Sequence, residues 1–365
     1  MRVRPCRMIL AAFFVITPLT CAFAQEDSAV AIKADESAKS ELTESLPVAQ
    51  AVRRAIEALD AVEQGGEAQT LLADAQRYAR MVLEQEPEHP RLLYIMGRLK
   101  IFAGRTVDGI RDLQAFTDTR EGQNDWKAYQ ILGDAFVSNY ASLAQAQYKK
   151  AYALNDREPA VLLGLSRAAA KLGRGEQALS YAEAAVRLDG RQTIAYLTYY
   201  AQLLQAMRRL PAAVEMSTLS LELAKQAYRN SPAKSSVLRA LQSQYQIYML
   251  ILRDKINEAP EDCEAYILFA KAGEELGEIE KLIQWHNALD AITQGVERTA
   301  PNTPLSLRLE RGRLLGLVGR VTEAVEEYES ILASMPDHPL ARRALKELRR
   351  EDEQIPEPST DDHDQ

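Results

Sequence analysis

The chain has 365 residues, a formal charge of −8 and three cysteines. An acidic balance argues against a nucleic-acid ligand, whose phosphates it would repel. Cys6 and Cys21 fall in the first 24 residues, so a chain processed after them keeps Cys263 alone and can form no internal disulfide.

The elements follow in order along the chain. Arg2, Arg4 and Arg7 precede an apolar run from Met8 to Val15, and the small-residue site Ala22-Phe23-Ala24 comes before Gln25. That is the form of a secretory signal, residues 1–24, with cleavage expected after Ala24. Its removal takes away three arginines and no acid, so the charge drops from −8 to about −11. The apolar run is too short for a membrane span. A bacterial lipobox wants an aliphatic residue three before the cysteine and a small one just before it. Cys21 has Pro18 and Thr20 there, so lipid anchoring is not expected. Residues 25–46 are polar and rich in Ala, Glu, Ser and Lys, the composition of a disordered leader.

A first helix is predicted from Pro47 to Val62, with Val48, Val52, Ile56, Leu59 and Val62 at helical spacing. Gly65-Gly66 closes it, and Leu71 to Leu83 forms its partner. From there a period of about 34 residues takes over. One stretch runs Tyr94-Ile95-Met96-Gly97, Gly104-Arg105, Ile110 and Leu113. Another has Leu162, Leu165, Gly173-Arg174, Ala178, Ala182, Ala185 and Leu188-Asp189. A third has Gly312, Gly319-Arg320, Ala324, Tyr328 and Pro336. Between Ala227 and Asp262 the period fails. Asn230-Ser231-Pro232 breaks a helix there, and a long helix is expected from Ser235 to Ile256. A capping helix is predicted at 339–350, with Leu340, Ala344 and Leu348 on one face and five cations elsewhere. The tail 351–365 has seven acids, two prolines and no Lys or Arg, and is expected to be disordered.

The periodic residues resemble the tetratricopeptide repeat family, whose unit has small residues at positions 8 and 20, a turn glycine near 15, aromatics around 11 and 24, and proline at 32. Units are read near 47–89, 90–123, 126–158, 159–192, 193–226, 263–296 and 305–338, with 227–262 irregular. The unit at 193 has Met207 in the glycine's place, and the unit at 263 has Gly277 at its turn and Leu282 at position 20. The resemblance spans residues 47–350. It implies an all-α solenoid of about 7–8 helical hairpins winding into a right-handed superhelix, because a repeat of this length cannot bury its apolar face alone.

No catalytic constellation is visible. Gly173-Arg174-Gly175 is a repeat turn rather than a phosphate loop, and no paired histidines, cysteine pair or nucleophile elbow occurs. Pro87-Glu88-His89-Pro90 and Pro336-Asp337-His338-Pro339 read as solvent-facing turns rather than metal sites. His286 reads as packing beside Trp285, and Tyr196, Tyr199 and Tyr200 as core filling. The expectation is therefore a protein that is not an enzyme and holds no cofactor or metal.

In the resembled family, positions 2, 5, 9, 12 and 13 of each first helix line a concave groove. Here they carry Arg91, Tyr94, Arg98, Ile101 and Phe102, then Lys127, Gln130 and Asp134, then Leu163, Arg167 and Lys171. The resemblance implies an adaptor or scaffold binding an extended or helical protein segment. Arg91, Arg98, Lys127, Arg167 and Lys171 suit an acidic partner, with Tyr94 and Phe102 as anchors and Gln130 between them. The family's Lys–Asn carboxylate clamp is missing, since position 9 holds Arg98, Asp134 and Arg167. The alternative is a structural subunit of an envelope assembly or secretion complex that uses its outer face or ends. The signal and the family's habit place the protein outside the cytoplasm, in a bacterial periplasm, with no membrane span after processing.

Overall fold

The computed structural model describes residues 46–63, 65–232 and 234–352. The signal segment, all of the leader but Leu46, and the acidic tail from 353 onward lie outside the described residues. Among the described residues every regular element is helical. The chain divides into two compact units, residues 1–172 and 173–365.

The first unit holds α1 (Val48–Glu63), α2 (Ala68–Gln85), α3 (Pro90–Phe102), α4 (Thr106–Asp118), α5 (Trp126–Phe136), α6 (Ala141–Leu154) and α7 (Pro159–Lys171). Successive helices pair as α1/α2, α3/α4 and α5/α6, and α7 packs against α6. Small residues set how closely they approach. A Cβ on Gly109 would stand 2.6 Å from the carbonyl oxygen of Gly97, so α3 and α4 meet backbone to backbone. Tyr148 of α6 is fully buried and wedged between two glycines. A Cβ on Gly133 of α5 would lie 2.6 Å from its ring, and one on Gly164 of α7 only 2.3 Å away. One side chain thus fills the space left by two helices.

Both histidine turns prove to be helix starts. His89 Nδ1 accepts from the backbone N–H of Arg91 at 3.1 Å, and His338 Nδ1 from that of Ala341 at 3.3 Å. Each satisfies a backbone donor that the first turn of a helix leaves unpaired. Gly104 and Gly319 end the first helices of their hairpins at φ +76° and +78°. No atom crowds their missing Cβ, so the left-handed backbone alone calls for glycine there.

The second unit holds α8 (Gly175–Leu188), α9 (Ile194–Ala206), α10 (Leu210–Asn230), α11 (Ser235–Glu258), α12 (Cys263–Thr299), α13 (Leu305–Leu317), α14 (Val321–Ser334) and α15 (Pro339–Asp352). Here α9 pairs with α10, α11 with α12, and α13 with α14, and α15 packs on α14. Buried Thr198, Ser220 and Gln244, from α9, α10 and α11, meet within 2.8–2.9 Å and fix those three helices in register. Ala341 and Leu345 of α15 are buried against Tyr328 and Ile331 of α14, so α15 closes the last hairpin.

Two expectations need correction. The unit read from Thr193 starts one residue later. Thr193 is the N-cap, and the left-handed turn falls on Arg208 (φ +57°) rather than Met207. Counting back seven residues, as Gly104 leads to Gly97, gives fully buried Ala201 as the small contact residue. Tyr199 joins the core, whereas Tyr196 and Tyr200 are half-buried. The larger correction concerns 263–296, which is no hairpin: α12 runs unbroken for 37 residues. Gly277 sits inside it. A lone glycine costs a helix about 1 kcal/mol and does not stop it. Ala265, Ala272, Ile279 and His286 are buried at seven-residue spacing, opposite Leu238, Tyr245 and Leu252 of α11 at the same spacing. That heptad seam packs α11 and α12 in the manner of a coiled coil. The far half of α12 places Leu289 against Leu314 and Leu315 of α13.

Replacing Gly164 by Ala tests the tyrosine wedge. Helix propensity alone would favour alanine by roughly 0.5–1 kcal/mol. The clash with a buried ring is expected to prevail, with a net loss of about 1–3 kcal/mol in urea unfolding. A gain in stability would show that Tyr148 has room to move.

Candidate functional site

The first helices of successive hairpins lie side by side in the first unit: α1 touches α3, and α5 touches α7. Their shared face carries the residues singled out above, and their surroundings differ from a free basic strip.

Arg98 is 1% exposed. Its Nη1 donates to Asp60 Oδ1 at 2.8 Å and to the Tyr94 hydroxyl at 3.2 Å, and its Nη2 donates to Glu63 Oε1 at 2.6 Å. Lys127 Nζ reaches Asp60 Oδ1 at 2.7 Å and Glu63 Oε2 at 3.3 Å. Two cations from α3 and α5 are thus neutralised by two acids from the last turn of α1. Burial would raise the carboxyl pKa of Asp60, but bonds from Lys127 and Arg98 outweigh it and hold the group below the usual carboxylate range. Tyr94 is 1% exposed and packs its ring against Phe116 at 5.3 Å. Arg98 and Tyr94 are therefore internal. A partner's carboxylate could reach Arg98 only by displacing Asp60 and Glu63, and Tyr94 offers no anchor.

The remaining positions sort by what holds them. Arg91 makes ion pairs at 2.5 Å with both Glu121 and Asp125 and lies 5.2 Å from the Phe116 ring. It braces the loop before α5, whose first turn Asp125 caps through the N–H groups of Lys127 and Ala128. Phe102 is 38% exposed. Gln130 and Arg167 are half-buried beside Asp134, an accessible carboxylate that accepts from the Tyr148 hydroxyl at 2.7 Å. Crowding by protein raises the Asp134 carboxyl pKa, against the pull of Tyr148 and Arg167. Lys171 is exposed at the end of α7 and donates to the Ser138 carbonyl at 3.3 Å.

Sequence reasoning missed Asp60 and Glu63. The signal was available in Gly65, left-handed at φ +89°. Seven residues before it stands Ala58, equivalent to Gly97, which places Glu63 in register with Phe102. The first repeat keeps the register although its residues diverge.

Small residues seven before a left-handed turn recur at Gly97, Ala201 and Gly312, each buried in a hairpin. This is the tetratricopeptide hairpin fold. No family model matches the chain, and no curated protein matches it. Among solved structures, a thermophilic TPR protein of Thermus thermophilus is 17% identical, covers 62% of this chain and 98% of its own, and superposes with a TM-score of 0.38. MamA of Desulfovibrio magneticus RS-1 is 18% identical over 49% of this chain and 98% of its own, with a TM-score of 0.39. The pilF protein of Pseudomonas aeruginosa is 14% identical over 61% of this chain and 99% of its own, with a TM-score of 0.42. With overlaps this partial, the tetratricopeptide assignment rests on the chain's own hairpins and their register. Among the described residues, no three His, Cys, Asp or Glu side chains are placed to hold a metal, and no helix is long and apolar enough to cross a membrane.

Asp60→Asn probes the lock between α1, α3 and α5. It leaves the buried Arg98 with Glu63 as its one carboxylate partner, and a loss of about 1–3 kcal/mol is expected in unfolding at pH 7. Because the folded Asp60 pKa is depressed, its contribution is complete above the unfolded value near 3.9 and fades as pH falls through the folded one. The gap between wild type and Asp60→Asn should therefore narrow between pH 7 and about pH 3. A gap that is constant with pH would rule out the charged lock.

Proposed function

We propose that this protein is an exported, non-enzymatic scaffold that holds a segment of another protein against the first-helix face of its N-terminal unit. The observation carrying this reading is that face itself: α1, α3 and α5 are tied across by Asp60, Glu63, Arg98 and Lys127. A surface fixed before binding spares the complex much of the cost of ordering one side.

The internal neutralisation reshapes the ligand. Asp60, Glu63, Arg98 and Lys127 cancel, so the cation of this face most open to a partner is Lys171, exposed at the end of α7. With Phe102 exposed and Gln130 at hand, the face suits a mixed segment better than a strongly acidic one: an apolar anchor, an amide or hydroxyl, and one carboxylate near Lys171. Export is supported by Arg2, Arg4 and Arg7, the apolar run after them and Ala22-Phe23-Ala24. A bacterial periplasm is the compartment this favours.

A second reading, a structural subunit of an envelope assembly, draws support from a different edge of the same unit. Val107, Tyr140 and Leu143 are 74%, 60% and 50% exposed, at the start of α4 and at the turn into α6. Bulky apolar residues at hairpin tips suit a protein contact away from the first-helix face.

The test is in-cell crosslinking from the exported fraction, comparing wild type with Phe102→Ala/Lys171→Glu and with Val107→Ser/Leu143→Ser. Arg98 is left alone because its loss would disturb folding. A protein captured by wild type and lost with the first variant supports the first-helix face. The same loss confined to the second moves the site to the hairpin tips. N-terminal sequencing of the exported protein should begin at Gln25; an intact Met1 would overturn export through this signal.

A further inference from the structure

α12 begins with an apolar patch on the side turned away from α11. Cys263, Tyr266, Ile267 and Ala270 are all exposed, Tyr266 at 47% and Ile267 at 55%. Their spacing in sequence puts the four on one face of the helix. That face lies opposite Ala272 and Ile279, which are buried in the core shared with α11. Over about the next three turns the same face becomes polar, with Glu274, Glu280, Lys281 and Gln284. Glu264 and Lys271 border the patch along one flank. Both are exposed, and among the described residues neither is in an ion pair. A contiguous apolar patch rimmed by charge marks a protein contact surface.

We propose that this patch pairs with the same patch of a second copy, the two α12 helices running antiparallel about a two-fold axis. The charges choose the occupant. Glu264 and Lys271 lie seven residues apart on one flank, so an antiparallel copy sets each Glu264 beside the other copy's Lys271, twice over. A parallel copy would set glutamate on glutamate and lysine on lysine, which opposes pairing. The shapes agree with the same register. With the axis passing beside Ile267, the two Ile267 side chains meet at the centre, and each Tyr266 lies over the other copy's small Ala270. Two helical turns from each copy make a small interface, of the transient class, so the pairing is concentration-dependent. The proposal does not depend on the first-helix face of the other unit. Pairing would give the assembly two such faces, and a partner offering two segments would gain avidity.

The test is sedimentation equilibrium of the full chain with Cys6 and Cys21 changed to Ser, over micromolar concentrations. A monomer–dimer equilibrium is expected. Ile267→Glu should abolish it, and Lys271→Glu should weaken it by at least about tenfold, since both symmetric pairs turn repulsive. The swap Glu264→Lys/Lys271→Glu should restore the dimer, because the opposite charges again meet across the axis. All these positions are exposed, and circular dichroism verifies that the helices persist. Disulfide trapping with an added copper–phenanthroline oxidant reads the register. Residue 267 lies beside its twin, so Ile267→Cys with Cys263→Ser should crosslink. The native Cys263 lies about 13 Å along the axis from its own twin, beyond disulfide reach, and should not. A monomer at every concentration overturns the proposal and leaves the patch to another protein. A dimer indifferent to Ile267→Glu places the contact elsewhere and also overturns it. So does a double swap that fails to restore pairing, or a crosslink through Cys263 in preference to residue 267.

Discussion

The architecture depends on close contact between two helices at a residue with little or no side chain. At Gly97 and Gly109 backbone meets backbone, while at Gly133, Gly164 and Gly312 an aromatic ring lies where a Cβ would be. Contacts of this kind fix the separation within a hairpin and leave the bulky residues only one way to pack. Interiors at crystalline density tolerate little adjustment, so each hairpin constrains the next. The neutral lock among Asp60, Glu63, Arg98 and Lys127 exists because that packing brings α1, α3 and α5 into line.

Local rules made much of this legible in the sequence. The left-handed turn glycines, the small residue seven before them and the break at Asn230-Ser231-Pro232 each have a short-range cause, and each is found where the sequence puts it. The period failed where two causes competed. At α12, Gly277 matched a turn position while a heptad seam ran through it without interruption. Burial of Ala265, Ala272, Ile279 and His286 along one line outweighs a single glycine. At α9 the misreading was one residue, because an arginine rather than a glycine takes the left-handed place.

The face of the first unit was legible in position and illegible in charge. Counting from the repeat placed these residues on the first helices α3, α5 and α7, since periodicity reports direction. It could not report that an acid 67 residues from Lys127 in sequence would stand beside it. Arg98 illustrates the difference. Its spacing marks it as surface, yet its guanidinium is buried between two carboxylates and a phenol ring. A charged side chain in such a setting organises the structure more than it recognises a ligand.

The length of α12 has a further consequence. In a nearest-neighbour array, each hairpin is a separable segment, and the chain can fray one hairpin at a time. α12 belongs to two neighbours at once: its first half completes the core of α11, and its second half completes that of α13. Residues from Ser235 to Ser334 therefore have no internal joint at which to open. Pulled or heated, this stretch of roughly 100 residues is expected to yield as one block rather than by peeling.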